Sequence, residues 1–367
     1  MIKVLMTGLT DIVGGVDIYI RNIVANIDQS DIHFDFLGQG IEKAALEDEL
    51  YELCGGQCRF YYAPAFKEHP NDCITFLDKL YQNEYDIVYV NASLATDVLY
   101  AWPYVEFHKK TKMIIHSHNS SLYGKEKQHQ LFKWCTCRAN LKLACSEKAA
   151  RWMFGSMNRV KLIHNGIDTE RFQYSEKSRK EIRDRYGIGE KEYVIGNVGR
   201  LCYQKNQVFL FDVLKRLREQ GISTYLMLVG EGEDELDLRV QARQKGVVDW
   251  VFFCGVQKKI EKFYSAFDVF AMPSWYEGLP LAGVEAQAAG LHCLFSDRID
   301  RQILLTDHAH MLVLEEEKDS WNEVISWILQ RDLNEREQYS SEICEKGYDI
   351  RTTAKRIRKI IDQLIYL

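Results

Sequence analysis

The chain has 367 residues, 46% of them hydrophobic and 27% charged, and a net charge of −6. A chain of this length exceeds what one hydrophobic core supports, and its composition is that of a water-soluble globular protein. The negative balance excludes a general nucleic-acid binder, and nothing approaches the ~20 apolar residues of a membrane span. Ten cysteines stand without a C-x-x-C motif, so they read as reduced, mostly buried thiols with no metal site, as in a cytoplasmic protein. Met1-Ile-Lys-Val-Leu-Met6 is too short for a signal-peptide core.

Short apolar runs alternate with helical patterns throughout, and the runs are continuous, as in strands covered on both faces. The expected fold class is therefore α/β with parallel sheets. Strands are predicted at Ile2–Met6, Phe34–Leu37, Ile87–Val90, Met113–His116, Leu141–Ala144 and Val160–Ile163. A second set is predicted at Val194–Val198, Tyr225–Val229, Val251–Phe253, Val269–Met272 and Cys293–Ser296. The polar stretch Asp168–Glu192 separates the sets and reads as a linker region. Two Rossmann-like domains follow, 1–168 and 169–348, with ligands expected in a cleft at the carboxyl ends of their strands. The final segment, 349–367, holds an amphipathic helix with Ile357, Ile360, Ile361, Leu364 and Ile365 on one face.

Chemistry-bearing residues recur at the predicted strand ends. Gly14 and Gly15 follow the first strand and open a helix with Val16, Ile20, Ile23 and Ile27 on one face; they allow either a close ligand approach or simply a tight connection. Ile114-Ile-His-Ser-His-Asn119 ends a buried strand on two histidines, which serve either as polar caps or as active-site groups. Residues 108–151 hold ten Lys or Arg against Glu126 and Glu147, a local +8 that leaves −14 for the remainder of the −6 chain. With Tyr123, Phe132, Trp134, Trp152 and Phe154 interleaved, the segment fits either a solvated cationic face or docking on an anionic membrane surface. In Asn197-Val-Gly-Arg-Leu201 and the following Lys205-Asn206, Arg200 and Lys205 offer charges that can neutralise a departing diphosphate without a metal. Leu228-Val-Gly-Glu-Gly-Glu233 and Phe252-Phe-Cys-Gly-Val256 read as tight turns after strands that shape a pocket.

The densest stretch is Trp275-Tyr-Glu-Gly-Leu-Pro-Leu-Ala-Gly-Val-Glu-Ala-Gln-Ala-Ala-Gly290. A turn rich in glycine and proline runs into a helix start, where free N–H groups and the macrodipole favour phosphate. Glu277 and Glu285 flank it and would repel phosphate, so they are expected to accept hydrogen bonds from hydroxyls of the same ligand. A diphosphate with hydroxyl-rich groups on both sides is a nucleotide sugar.

Together with Phe267-Asp-Val-Phe-Ala-Met-Pro-Ser274, the pattern Glu277-Gly-x-Pro-Leu-x-x-x-Glu285-Ala-x-Ala-x-Gly290 resembles the signature of the retaining glycosyltransferases of family 4, and the likeness runs in order over most of the chain. The resemblance implies a GT-B fold, with the C-terminal helix crossing back onto the first domain. It also implies an acceptor-binding first domain and a nucleotide-sugar-binding second one. By the same likeness Glu285 holds the ribose and Glu277 the donor sugar. Gly278, Leu279 and Leu281 offer amides to the diphosphate, and Gly14 and Gly15 face donor and acceptor. Val256 borders the base pocket, and His118, with His116 in reserve, lies beside the transferring sugar. Where the family usually has proline two residues past Gly290 this chain has His292, and where it often has glutamate it has Asp17.

The expected function is a metal-independent, cofactor-free retaining hexosyltransferase. It would use a uridine-diphosphate sugar and a saccharide or lipid-linked acceptor in cell-surface polysaccharide assembly, such as capsule or exopolysaccharide, in the cytoplasm or on the inner face of the membrane. Two alternatives stand beside it: a sugar-nucleotide epimerase on the same fold, which would form product with no acceptor, and a non-catalytic nucleotide-sugar-binding protein, in which Glu277→Ala would leave the cellular function intact.

Overall fold

In the structure, a computed structural model that describes residues 1–120, 124–314, 318–329, 336 and 338–366, the continuous apolar runs become strands covered on both faces. The chain divides into two units, Met1–Gly166 with Ile350–Leu367, and Ile167–Asp349. The first contains β1 (Ile2–Leu9), β2 (Ile32–Gln39), β3 (Phe60–Ala63), β4 (Ile87–Ala92), β5 (Lys112–Ser117), β6 (Leu141–Ala144) and β7 (Val160–Leu162), in the order β3-β2-β1-β4-β5-β6-β7. The second contains β8 (Tyr193–Val198), β9 (Thr224–Val229), β10 (Val251–Phe253), β11 (Val269–Met272), β12 (His292–Ser296) and β13 (Ala309–Leu312), in the order β10-β9-β8-β11-β12-β13. Every pairing is parallel. In each sheet the strand order reverses direction beside the first strand, between β1 and β4 and between β8 and β11. Loops leaving the carboxyl ends of strands diverge at such a point and leave room for a ligand.

Three sequence expectations need correction. Strands β3 and β13 were not anticipated: both are sheet edges, their residues are mostly only half-buried, and an edge strand is held by backbone pairing on one side without the apolar run of a central strand. The segment Asp168–Glu192 is no linker. It contains the helix Glu176–Tyr186, capped by the Ser175 hydroxyl and by left-handed Gly187, which belongs to the second unit. Its charged residues turn inward: Arg183 is buried and donates to Asp268 Oδ2 at 3.1 Å, while Arg179 donates to Asp268 Oδ1 at 2.6 Å. The partner lies far along the chain, so the local sequence looks like a solvated run.

The last helix, Ile350–Tyr366, packs in the first unit, with Ile357, Ile360 and Ile361 buried among Ile20, Ile23 and Val24 of the helix Gly15–Asn26. Arg358 fixes it by donating to the Asp28 carbonyl at 2.8 Å and pairing with Asp31 at 2.6 Å. Leu367 lies outside the described residues.

Candidate functional site

In the second unit the site is built by two loops leaving β8 and β11, the strands that flank the reversal. The β8 loop crosses the β9 loop so closely that a Cβ on Gly230 would sit 2.1 Å from the Gly199 carbonyl oxygen. Both glycines also have positive φ, +151° at Gly199 and +135° at Gly230, so the backbone course requires them. Beyond Gly199 the chain is fastened to the β11 loop along its length. Trp275 N–H donates to the Gln204 carbonyl at 2.9 Å, Gln204 Nε2 to the Tyr276 carbonyl at 2.9 Å, and Asn206 Nδ2 to the Pro273 carbonyl at 3.1 Å. This fastening brings Lys205 Nζ to 2.5 Å from Glu277 Oε1, with both side chains largely covered at 16% and 9% exposure. An ammonium has three donors, so Lys205 can hold Glu277 and still turn toward an anion.

Arg200 stands apart from that pair: its Nε donates to Glu233 Oε2 at 2.9 Å on the open surface. The turn after Glu277 enters the helix Leu281–Ala288, whose first internal bond is from Gly283 N–H to the Pro280 carbonyl at 3.0 Å. The N–H groups of Leu281 and Ala282 precede it and face out of the helix start. Gly278, Leu279 and Leu281 are buried at this turn, whereas Val256 is 57% exposed beyond β10.

Glu285 sits one turn into that helix at 9% exposure. Burial pushes its carboxyl up to about 7, opposed by a hydrogen bond from the Tyr264 hydroxyl to Oε2 at 2.8 Å. Tyr264 is itself fully buried among Phe172, Phe267 and Phe270. Sequence reading missed this contact, since nothing local to Tyr264 marks it as the partner of a glutamate 21 positions later. His292, where the family usually has proline, stays buried and stacks on His308 with ring centroids 3.9 Å apart.

In the first unit the turn Thr10–Gly15 is held by Asp17. Its carboxylate accepts from Thr10 N–H and Thr10 Oγ1, both at 2.8 Å, and from Gly14 N–H at 3.0 Å. Asp17 is buried, and that burial raises its pKa against the lowering effect of those bonds. Its carboxylate is thus committed to the turn. A Cβ on Gly15 would meet nothing within 4 Å, and its φ is not positive, so packing gives no reason for glycine there.

The helix opened by this turn carries Tyr19 against both candidate histidines, with centroids 5.1 Å from His116 and 4.5 Å from His118. His116 is fully buried; its Nδ1 lies 2.9 Å from the Tyr89 hydroxyl and its Nε2 3.2 Å from the Ile163 carbonyl. His118 retains 8% exposure, with Nε2 3.0 Å from Asn91 Oδ1 and Nδ1 3.0 Å from Asn165 Oδ1. Burial pushes His118 down to about 3 and holds His116 well below its ordinary value, so both rings are neutral near pH 7. Asn91 Nδ2 already donates to the Thr7 carbonyl at 2.9 Å. A neutral His118 therefore donates from Nε2 to Asn91 Oδ1, and its bare Nδ1 accepts from the amide nitrogen of Asn165 once that amide is rotated.

In the basic segment, the aromatics expected at a membrane surface mostly face inward. Trp152 stacks on His129 with centroids 3.8 Å apart and donates to the Ser93 carbonyl at 3.0 Å, and Phe132 and Phe154 pack against the core. Only Trp134 among the described aromatics of that set is exposed, at 52%, and Tyr123 lies outside the described residues. The structure adds two apolar side chains that the reading missed, Phe107 at 81% and Leu131 at 67% exposure.

Two family profiles match: Glycosyltransferase Family 4 over residues 13–171 and Glycosyl transferases group 1 over residues 178–346. The chain is 30% identical over 356 residues to "Putative glycosyltransferase EpsF" of Bacillus subtilis (strain 168), covering 92% of this chain and 90% of that protein. The chain belongs to glycosyltransferase family 4. This glycosyltransferase is also 27% identical over 179 residues to the UDP-Gal:alpha-D-GlcNAc-diphosphoundecaprenol alpha-1,3-galactosyltransferase of Escherichia coli, covering 46% of each chain. Among solved structures, Anabaena Alr3699/HepE in complex with UDP-glucose superposes with a TM-score of 0.82 at 18% identity, covering 99% of this chain and 100% of that one. With the two parallel-sheet units, this likeness establishes the GT-B fold; the family membership favours glycosyl transfer over the epimerase alternative. Among the described residues no helix of the glycosyltransferase is long and apolar enough to cross a membrane.

Proposed function

We propose that this glycosyltransferase is a retaining, metal-independent hexosyltransferase moving a sugar from a uridine-diphosphate donor to a saccharide or lipid-linked acceptor in cell-surface polysaccharide assembly. The observation that carries the reading is the Lys205–Glu277 pair at 2.5 Å, held where the sheet order reverses. An ammonium attracts phosphate and a carboxylate accepts from hydroxyls, so the pair suits the junction between a diphosphate and a sugar. Support for the class of donor and acceptor comes from the HepE complex with UDP-glucose and from the galactosyltransferase named for a diphosphoundecaprenol acceptor.

In this reading the diphosphate lies at the N–H groups of Gly278, Leu279 and Leu281, Glu285 accepts from the ribose hydroxyls, and Val256 borders the base. As the glycosidic bond to the diphosphate lengthens, negative charge builds on the leaving oxygen, and Lys205 and Arg200 stabilise it. The acceptor hydroxyl attacks from the same face, and its proton passes to the departing phosphate. No glutamate of the motif is placed as a nucleophile, which favours this route over a covalent glycosyl-enzyme. In the first unit Gly14 and Gly15 admit the ligand backbone-close, and His118 acts as a neutral positioning group beside the sugar. Membrane contact through residues 108–151, on the inner face, fits a lipid-linked acceptor.

A thermal-shift panel of nucleotide sugars identifies the carrier, with uridine compounds expected to stabilise the protein. Arg200→Ala with Lys205→Ala should lower turnover on the order of a hundredfold or more. Unchanged turnover removes both cations from the mechanism.

A further inference from the structure

Tyr203 is an exposed aromatic that the donor reading leaves without a role. It begins the single 3₁₀ turn Tyr203–Lys205 and is 64% exposed. Scattered exposed tyrosines are ordinary; what sets this one apart is its support. Its ring lies nearly parallel to that of Trp275, at 21° with centroids 6.3 Å apart, and Trp275 packs against the core of the second unit. The two loops run side by side here, joined by Trp275 N–H to the Gln204 carbonyl and by Gln204 Nε2 to the Tyr276 carbonyl, both at 2.9 Å. Two rungs of side chains result, with Tyr203 on Trp275 and, two residues further along each loop, Lys205 on Glu277.

A flat ring face next to a carboxylate and an ammonium matches the two-sided chemistry of a pyranose. One face of such a sugar presents C–H groups that are attracted to the electron-rich face of an aromatic ring, while its rim presents hydroxyls for charged acceptors and donors. We infer that Tyr203, braced by Trp275, is a stacking platform for a hexopyranose bound beside the Lys205–Glu277 pair. The ring belongs either to the donor or to the acceptor. The inference rests on the donor reading only for which of these sources supplies it.

The test uses the full chain as wild type, Tyr203→Ala and Tyr203→Phe. Affinities are measured calorimetrically for UDP and for UDP-glucose, and a panel of methyl hexopyranosides is titrated with and without UDP by ligand-observed nuclear magnetic resonance. Because Tyr203 is exposed, both variants are expected to fold, which circular dichroism checks. Tyr203→Ala should leave UDP affinity unchanged and weaken one pyranose carrier by about three- to tenfold, the size of one aromatic stacking contact, while Tyr203→Phe retains wild-type affinity. Weaker UDP-glucose binding assigns the platform to the donor sugar, and weaker methyl-pyranoside binding assigns it to the acceptor. Unchanged binding of every sugar overturns the inference, as does a phenylalanine variant as weak as the alanine one, or a wild type that binds no pyranoside and holds UDP-glucose no better than UDP. Failure of wild type to bind UDP counts against the donor reading instead, and the pyranoside titration without UDP then decides the platform by itself.

Discussion

At neutral pH the Glu285 carboxyl stands between its two protonation states, because burial has lifted it from the ordinary 4.5 to about 7. In the unfolded chain the same group ionises near the ordinary value, so between those two limits the folded protein keeps a proton that the unfolded chain has released. Stability therefore falls as pH rises through that window, and the loss is complete above it. Glu285→Gln keeps an acceptor for the Tyr264 hydroxyl and removes the ionisation. It should stabilise the protein on the order of 2–3 kcal/mol at pH 8 and not at pH 4, while weakening UDP about tenfold through the lost carboxylate acceptor. Denaturant titrations at the two pH values, with calorimetry for UDP, check both parts; equal stabilisation at both pH values would contradict a titrating Glu285. As candidates the residues were legible: Glu277 and Glu285 stand out by flanking a glycine- and proline-rich turn that enters a helix. Their partners were not, since Tyr264 and Lys205 reach them across 21 and 72 positions.

Among the elements, the turn that opens the helix Gly15–Asn26 shows how one buried carboxylate can hold a loop from within. Asp17 satisfies three donors of Thr10 and Gly14 from a buried position. Asp17→Ala leaves those groups to water and should cost about 2–3 kcal/mol of stability. Amide exchange at Thr10 and Gly14 should quicken with it; unchanged protection at both would mean that the turn holds without the carboxylate. The alternation of apolar runs and helical patterns made the central strands readable, because burial on both faces writes hydrophobicity into every position. Edges β3 and β13 escaped for the converse reason, and the helix Glu176–Tyr186 escaped because Arg179 and Arg183 face Asp268 instead of solvent.

For the whole molecule, charge is unevenly placed, with +8 in residues 108–151 inside a chain of −6. With Phe107, Leu131 and Trp134 exposed near those cations in sequence, the glycosyltransferase should bind anionic vesicles at low salt, and binding should weaken steeply as ionic strength rises. Cosedimentation with phosphatidylglycerol vesicles measures this, Lys109→Glu with Lys110→Glu should reduce it, and no binding at low salt would dispose of the membrane reading. The sequence by itself determined the α/β class, the paired parallel-sheet units and the family, because strand burial and strand-end turns depend on residues close together in the chain. Only the tertiary structure decided which carboxylate meets which cation, which histidine nitrogens are engaged, and which aromatics face outward. Those outcomes depend on loops from separate strands meeting at the reversal of strand order, and on burial that no local spacing records.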